Sequence, residues 1–235
     1  MDFKKEAARI ASTIVDDKTS VGLGDGSTVR LLAEYLIDRM NAGLEIRLHT
    51  SSLQTLEFLR RRDVWVNDIS GTDSLDIYFD GCDQIDSSLN ALKSGSGIHT
   101  MEKLLASMAK TFVIIGDDSK FVQRFDPGFP LVLEVLPVAV AYVRRIMSTL
   151  YPESVFAIRL LPDQEDEPVL TRNGNLLLDC WFQEWPELEV LQVQCKKITG
   201  IVDISLFFQL ANGAIIAGKG GISRYERRNG QIHLL

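Results

Sequence analysis

The stretch Ser20-Val21-Gly22-Leu23-Gly24-Asp25-Gly26-Ser27-Thr28-Val29-Arg30-Leu31-Leu32 decides how this chain is to be read. Residues 20–24 are short, apolar and ended by glycine, as a buried strand is, whereas Val29, Leu31, Leu32, Leu36 and Met40 follow at helical spacing. The segment predicts a strand, a tight turn and a helix over residues 28–40. Before it, Ala7, Ala8, Ile10, Ala11, Ile14 and Val15 recur at helical spacing up to Asp16-Asp17-Lys18, which gives an amphipathic first helix. After it the alternation continues. A strand is predicted at 46–50, a helix at 53–61, strands at 64–66 and 76–79, a helix at 101–109 and a strand at 112–115. Such alternation implies an α/β fold, a mainly parallel sheet with helices on both faces.

Two prolines and a glycine in Phe125-Asp126-Pro127-Gly128-Phe129-Pro130 mark a boundary, and a second unit begins there. Pro137 suits the first position of a helix over 138–150, a strand follows at 155–161, and a second helix at 188–194. Asp163-Gln164-Glu165-Asp166-Glu167 reads as a solvated acidic loop. Arg172-Asn173-Gly174-Asn175, between Val169-Leu170 and Leu176-Leu177-Leu178, is the strongest hairpin signal in the chain. The expected organisation is a main domain from residues 1–129 and 200–235, interrupted by a small antiparallel α+β domain at 130–199. Residues 202–207 and 214–217, joined by Asn212-Gly213, are expected to return strands to the main domain. No internal repeat of fixed period is visible.

At about 150 residues per domain, 235 residues fit one large domain or one with a smaller companion. The balance of 46% hydrophobic and 24% charged residues is globular and excludes disordered, collagenous and coiled-coil chains. A net charge of −7 and a pI near 5.1 argue against nucleic acid or an anionic membrane as the main partner. An anionic small molecule stays compatible, because a local site can be positive in an acidic protein. Cys82, Cys180 and Cys195 are odd in number, far apart and in no CxxC pair, so neither a disulfide framework nor a zinc site is expected, and a reducing cytoplasm fits. Met1-Asp2-Phe3-Lys4-Lys5-Glu6 leads into no apolar h-region, so secretion is not expected. The longest apolar stretch, 204–218, contains Gln209 and Asn212 and falls short of the ~18 apolar residues of a membrane span, so a soluble protein is expected.

Two constellations carry chemistry. Gly22 to Thr28 is a glycine-rich turn before a helix N-terminus, where free N–H groups and the helix dipole attract anions. It fails the dinucleotide fingerprint by one residue, Ser27, and no lysine follows Gly26, so it is no Walker A loop. The plainer alternative is a tight turn in which Ser27 or Thr28 caps the helix. The second constellation is denser. Asp80-Gly81-Cys82-Asp83-Gln84-Ile85-Asp86 closes the apolar Ile77-Tyr78-Phe79, and Lys93-Ser94-Gly95-Ser96-Gly97 leads to a helix carrying Glu102. Acids, a lysine and a flexible loop thus gather at the carboxyl end of a strand, where open α/β sheets bind ligands. Against this, Asp80 and Asp83 suit a simple turn, and Glu102 suits a solvated helix face. A metal on Asp80, Asp83 and Glu102 ranks low, since no histidine completes the set and Lys93 competes. His99 has no nucleophile elbow near it and suits loop or packing duty.

In order and at matching spacing, Lys4-Lys5, Gly22 to Thr28, Asp80-Gly81-x-Asp83, Lys93, Thr100-x-Glu102-Lys103 and Asp118-Ser119-Lys120 resemble the type A ribose-5-phosphate isomerase family. The resemblance covers most of the chain, including the insert and Gly200-Ile201-Val202. It implies a Rossmann-like domain interrupted by a small α/β domain and a homodimer or homotetramer. It also implies interconversion of ribose 5-phosphate and ribulose 5-phosphate in the pentose phosphate pathway, without metal or cofactor. By position, Glu102 resembles the general base that moves a proton between carbons 1 and 2. Asp80 is expected to exchange protons with the sugar oxygens beside Lys93, whose ammonium stabilises the enediolate. Asp83 resembles the group associated with ring opening. The resemblance places the phosphate against Ser27 and Thr28 with charge from Lys4 and Lys120. Gly24, Asp25, Gly26, Ser94, Gly95, Ser96 and Gly97 complete the expected binding frame.

The chain departs from the family at three places. The usual Gly-Thr-Gly-Ser-Thr is here Gly24-Asp25-Gly26-Ser27-Thr28, the triple glycine after the lysine is Ser94-Gly95-Ser96, and the acid after Asp83 is Gln84. Two unit charges at ~4 Å repel by roughly 4 kcal/mol at an effective dielectric near 20. Either Asp25 points away from the phosphate, capping or pairing, or the ligand differs. These departures keep a second reading open, a catalytically weak paralogue that senses a sugar phosphate or related metabolite. A third, acyl transfer with Glu102 as nucleophile, rests on fold analogy alone.

Overall fold

The structure is a computed structural model that describes residues 2–162 and 164–235. Helix α1 (Phe3–Thr13) is capped by Asp2, whose carboxylate accepts the Lys5 N–H at 3.2 Å. Strand β1 (Ser20–Leu23), helix α2 (Ser27–Asn41), strand β2 (Arg47–Thr50), helix α3 (Leu53–Arg60) and strand β3 (Leu75–Asp80) follow in the predicted alternation. Two short strands, β4 (Gln84–Ile85) and β5 (Ala91–Leu92), precede helix α4 (His99–Met108) and the long strand β6 (Ala109–Asp117). Next come β7 (Leu131–Val135), α5 (Val140–Leu150), β8 (Val155–Ile158), β9 (Leu160–Leu161), β10 (Gln164–Pro168), β11 (Leu176–Trp181) and α6 (Leu188–Lys197). The remaining strands are β12 (Ile201–Ile204), β13 (Leu206–Phe207), β14 (Gly213–Gly218), β15 (Gly221–Arg228) and β16 (Gln231–Leu234).

A seven-stranded sheet in the order β16-β15-β14-β6-β3-β1-β2 forms the centre. Strands β14, β6, β3, β1 and β2 are parallel, and β15 and β16 extend the sheet antiparallel. The period-2 alternation of the strands sends side chains to two cores. Phe79, Val113, Ile115 and Ile215 pack with Ala8, Leu32 and Leu59 from α1, α2 and α3 on one face. Tyr78, Phe112, Ile114 and Ile216 pack with Leu105 and Ala106 of α4 on the other. Helices therefore cover both faces, as the α/β reading requires. A third core, around Leu133, Val143, Met147, Leu178 and Leu191, fills the space under a four-stranded antiparallel sheet ordered β12-β7-β11-β8.

Several local expectations change. Residues 64–66 form no strand: only Val66 pairs, in a single bridge to Leu48, because the chain has just left the turn at Asp63 with positive φ. Pro137 opens a 3-10 turn, Pro137–Ala139, and the helix proper starts at Val140. The predicted strand at 155–161 is two, with β8 on β11 and β9 on β10. Of the acidic run, Asp163 lies outside the described residues, and 164–168 is strand β10 rather than loop. The Asn173-Gly174 turn forms, with Gly174 at φ +76, yet only Leu170 and Leu176 pair across it, since β11 is claimed by β7 and β8. Residues 202–207 split between β12, which joins β7, and β13, which joins β5, so of the two segments expected to return only 214–217, within β14, reaches the central sheet. Asn212 is no hairpin turn. Its side-chain oxygen accepts the Phe112 N–H at 2.7 Å, anchoring the start of β14 to β6.

Candidate active site

Strands β1 and β3 run parallel with Leu23 beside Phe79, so the segments that follow them leave the sheet at one edge. There Gly24 donates its N–H to the Phe79 carbonyl at 2.8 Å. A Cβ at Gly24 would lie 2.1 Å from the Asp80 carboxylate, so only glycine lets the two segments approach this closely. Gly26, at φ +106, then turns the chain into α2, whose first turn receives no side-chain cap. Those unclaimed N–H groups are what an anion would use.

The carboxylate of Asp80 is fully buried and richly supplied with donors. Tyr78 O–H reaches Oδ2 at 2.6 Å, the N–H groups of Gly81 and Asp25 reach Oδ1 at 2.7 and 3.2 Å, and Lys93 Nζ lies 3.0 Å away. Lys93 also donates to the Gly81 carbonyl at 2.7 Å and stands 3.4 Å from Glu102 Oε2. Glu102 sits on the first turn of α4, fully buried, and neither of its oxygens has a well-formed hydrogen bond. One ammonium is thus shared between two buried acids.

Burial dominates the proton affinities. It pushes the Glu102 carboxyl up to about 8, helped by the neighbouring Asp80 and Asp25 charges and opposed by Lys93. Burial also raises Asp80, against the pull of Lys93 and the Tyr78 hydrogen bond. Asp80 holds the donors, so its carboxylate is the ionised partner of Lys93, and Glu102 is the acid left to titrate. Burial works to lower Lys93, but the facing Asp80 and Glu102 more than offset it and hold the ammonium above its ordinary range. His99 is buried, held down to about 3 mainly by burial, and its Nε2 lies 3.4 Å from the Asp203 carbonyl, a neutral packing residue.

Asp83 faces the same opening from the other side. Its Oδ2 accepts the N–H groups of Ser94 and Gly95 at 2.6 and 2.9 Å, and Ser94 Oγ donates to the Pro130 carbonyl at 2.5 Å. The carbonyls of Ser94 and Gly95 accept from Arg159 at 2.9 and 3.0 Å. At the far end Lys4 Nζ donates to Ser27 Oγ at 3.2 Å, and Lys120 rises from the turn after β6. The cleft encloses about 250 Å³.

Of the residues singled out in the sequence, Lys4, Asp25, Gly26, Ser27, Thr28, Asp83, Lys93, Gly95, Ser96, Glu102 and Lys120 line this cleft. Asp80 lies beneath it against Lys93, Gly24 packs on Asp80, and Ser94 is buried behind the loop. Gly97 lines an adjoining cavity instead, which also touches Asp25 and Ser96. The metal reading of Asp80, Asp83 and Glu102 fails on position, because the Lys93 ammonium stands between Asp80 and Glu102. Among the described residues no cluster of three His, Cys, Asp or Glu is arranged to hold a metal. Asp25 resolves its own ambiguity: its Oδ1 accepts Ser52 Oγ–H at 2.7 Å, and Ser52 is the cap of α3, so the carboxylate rests at a helix N-terminus other than the one it precedes.

Sequence reasoning missed Tyr78, Ser52 and Arg159. Tyr78 sits inside the apolar run Ile77-Tyr78-Phe79, and its hydroxyl partner two residues on, Asp80, is the one available clue. Ser52 carried the signal of a helix cap only, and Arg159 lay unmarked inside a predicted strand.

A parallel sheet with an acid–lysine–acid cluster beside an uncapped helix N-terminus at its carboxyl edge defines an α/β protein with an acid–base catalytic site. Comparison narrows the class. Residues 48–221 match the family model for ribose 5-phosphate isomerase A (phosphoriboisomerase A). Ribose-5-phosphate isomerase A 1 of Oceanobacillus iheyensis is 36% identical over 94% of this chain and 96% of its own length. The Methanothermobacter thermautotrophicus ribose-5-phosphate isomerase A is 35% identical over 93% of this chain and 94% of its own. Among solved structures, ribose 5-phosphate isomerase A from Methanocaldococcus jannaschii superposes with a TM-score of 0.87 at 29% identity, covering 96% of this chain and 98% of that one. A D-ribose-5-phosphate isomerase in complex with phospho-erythronic acid gives 0.88 at 26% identity with the same coverage. The chain belongs to the ribose 5-phosphate isomerase A family.

Proposed function

We propose that this chain interconverts ribose 5-phosphate and ribulose 5-phosphate through an enediolate, by general acid–base catalysis. The observation that carries the proposal is the Lys93 ammonium held between Asp80 and Glu102 at 3.0 and 3.4 Å. The phosphate sits on the N–H groups of Ser27 and Thr28, with Lys4 and Lys120 balancing its charge. Asp83 moves a proton from the C1 hydroxyl to the ring oxygen as the C1–O4 bond breaks and the C1 carbonyl forms. Glu102 takes the proton from C2; the electron pair forms the C1–C2 double bond and charge develops on O1, beside Lys93. The O2 hydroxyl proton passes to O1 by way of Asp80 and Lys93, and Glu102 returns its proton to C1, leaving the C2 carbonyl of the ketose.

A base with pKa about 8 suits this work, because it is close to neutrality and strong enough once ionised. The developing negative charge meets an ammonium, so the proposed route calls for no metal or cofactor. We take residues 1–129 and 200–235 as the catalytic unit and 130–199 as the insert. The separate core around Val143 and Leu178 supports this division, with β12 bridging to the insert's sheet. We further propose a cytoplasmic homodimer or homotetramer; the exposed Leu136, Val138 and Tyr142 beside the start of α5 support the association. The functional test is turnover of ribose 5-phosphate by purified, chelator-treated protein. Sustained conversion to the ketose is expected, and binding without turnover would favour a sensor.

A further inference from the structure

The peptide that joins Ser94 to Gly95 is gripped at both ends. Its N–H, from Gly95, points at Asp83 Oδ2 (2.9 Å), and its carbonyl, from Ser94, points at Arg159 Nη2 (2.9 Å). Because a trans peptide is planar with N–H and C=O opposed, a donor that fixes the carbonyl also aims the amide. Arg159 adds a second grip through Nη1 to the Gly95 carbonyl at 3.0 Å. The guanidinium is itself fixed by Asp179 on β11, with Nε to Oδ2 at 3.0 Å and Nη2 to Oδ1 at 2.6 Å. Both side chains are largely buried, and neither lines the cleft. Two N–H groups converge on Asp83 Oδ2, which leaves Oδ1 for a substrate hydroxyl.

We infer that Arg159, locked by Asp179, is a positioning residue that acts through the Ser94–Gly95 peptide to hold the Asp83 carboxylate in the geometry for sugar-ring opening. The inference rests on the isomerase reading given above. A planar fork that bridges two carbonyls and a carboxylate at once is within reach of arginine and not of lysine. It ties the antiparallel sheet of β8 and β11 to the catalytic loop. The ring step lies on the aldose side of the reaction. In a 2-ketopentose 5-phosphate the C5 oxygen is esterified and no five-membered ring can close, so only the aldose has a ring to open.

The test follows turnover of ribose 5-phosphate, and exchange of the C1 proton of ribulose 5-phosphate with solvent, for Arg159→Gln, Asp179→Asn and Asp83→Asn while enzyme concentration is raised. Asp179→Asn keeps the shape of the pair and stands in should Arg159→Gln fail to fold. The parent opens the ring on the protein, so its velocity with ribose 5-phosphate stays proportional to enzyme. In the variants that velocity is expected to fall by roughly 10²-fold at low enzyme. At high enzyme it should level off at the rate of spontaneous ring opening in solution, while exchange of the C1 proton of ribulose 5-phosphate with solvent, which needs no ring step, stays proportional. A merely weakened fold gives no plateau in either measurement. A plateau for Asp83→Asn but none for Arg159→Gln and Asp179→Asn overturns the role of Arg159. Proportional velocity for Asp83→Asn too overturns ring opening by Asp83, and the inference with it.

Discussion

Asp25 stands in the glycine-rich turn beside the proposed phosphate site, and replacing it tests how this chain manages a carboxylate there. Asp25 and Thr28 are three residues apart around a turn, which puts the carboxylate on the order of 7 Å from an anion bound to the Ser27 and Thr28 amides. At an effective dielectric of about 40, between surface and bulk values, one unit charge repels another by roughly 1.2 kcal/mol at that distance. A phosphate of charge about −1.5 to −2 brings this to roughly 2 kcal/mol. The N-terminus of α3 and the Ser52 hydroxyl offset part of it, by up to about 1 kcal/mol. Asp25→Thr is therefore expected to lower KM for ribose 5-phosphate by about 10-fold. It also removes one of the charges that raise Glu102. Glu102 acts when ionised, so kcat/KM climbs as pH rises through its pKa, and in the variant that limb moves to lower pH. Losing the 2.7 Å bond from Ser52 costs about 1 kcal/mol of stability. Steady-state kinetics between pH 5 and 9 and a urea melt give all three readouts. A higher KM, or a limb that stays fixed, would refute the repulsion reasoning.

Lys93→Ala leaves Asp80 and Glu102 buried without their cation; turnover should fall by ~10²–10³, and stability near neutral pH by about 3–5 kcal/mol, read by urea melts. Gly24→Ala drives a Cβ to 2.1 Å from the Asp80 carboxylate; about 1–3 kcal/mol of stability should go with it, seen as a lower Tm. Glu102 has a folded pKa of about 8 against its ordinary 4.5, so the native state keeps a proton that the unfolded chain has released in between. Its contribution to stability is whole below pH 4.5 and is lost as pH rises through 8. Glu102→Gln should thus match the parent in a melt at pH 4.5 and exceed it by on the order of 3 kcal/mol at pH 9.

The parallel layer was legible because its signal is local. Residues 21–23 and 77–79 are apolar runs followed by Gly24 and Asp80, and the helices between them keep a 3.6-residue period. Strands β4 and β5 escaped because two residues carry no period, and they pair only because the chain turns back between Asp86 and Asn90. Strands β15 and β16 escaped behind Arg224, Glu226 and Arg228, whose charges suit an edge, although Asn229-Gly230, both at positive φ, was a hairpin signal in plain view. In the site, the acids and the lysine stood out by type and spacing. The groups that orient them did not, since a tyrosine hydroxyl, a serine and an arginine acquire those roles only through contacts 27 to 65 residues away, as Asp25 with Ser52 and Ser94 with Arg159, or along one face of a strand, as Tyr78 with Asp80.

The claim on which the rest depends is that Glu102 carries the proton between C1 and C2. The most direct measurement is the turnover of ribose 5-phosphate by chelator-treated Glu102→Gln, with binding of phospho-erythronic acid measured beside it. An amide keeps the shape of the acid and cannot take the proton, so turnover should drop by ~10²–10⁴ while binding stays within a few-fold of the parent. Turnover within a few-fold of the parent would contradict the account.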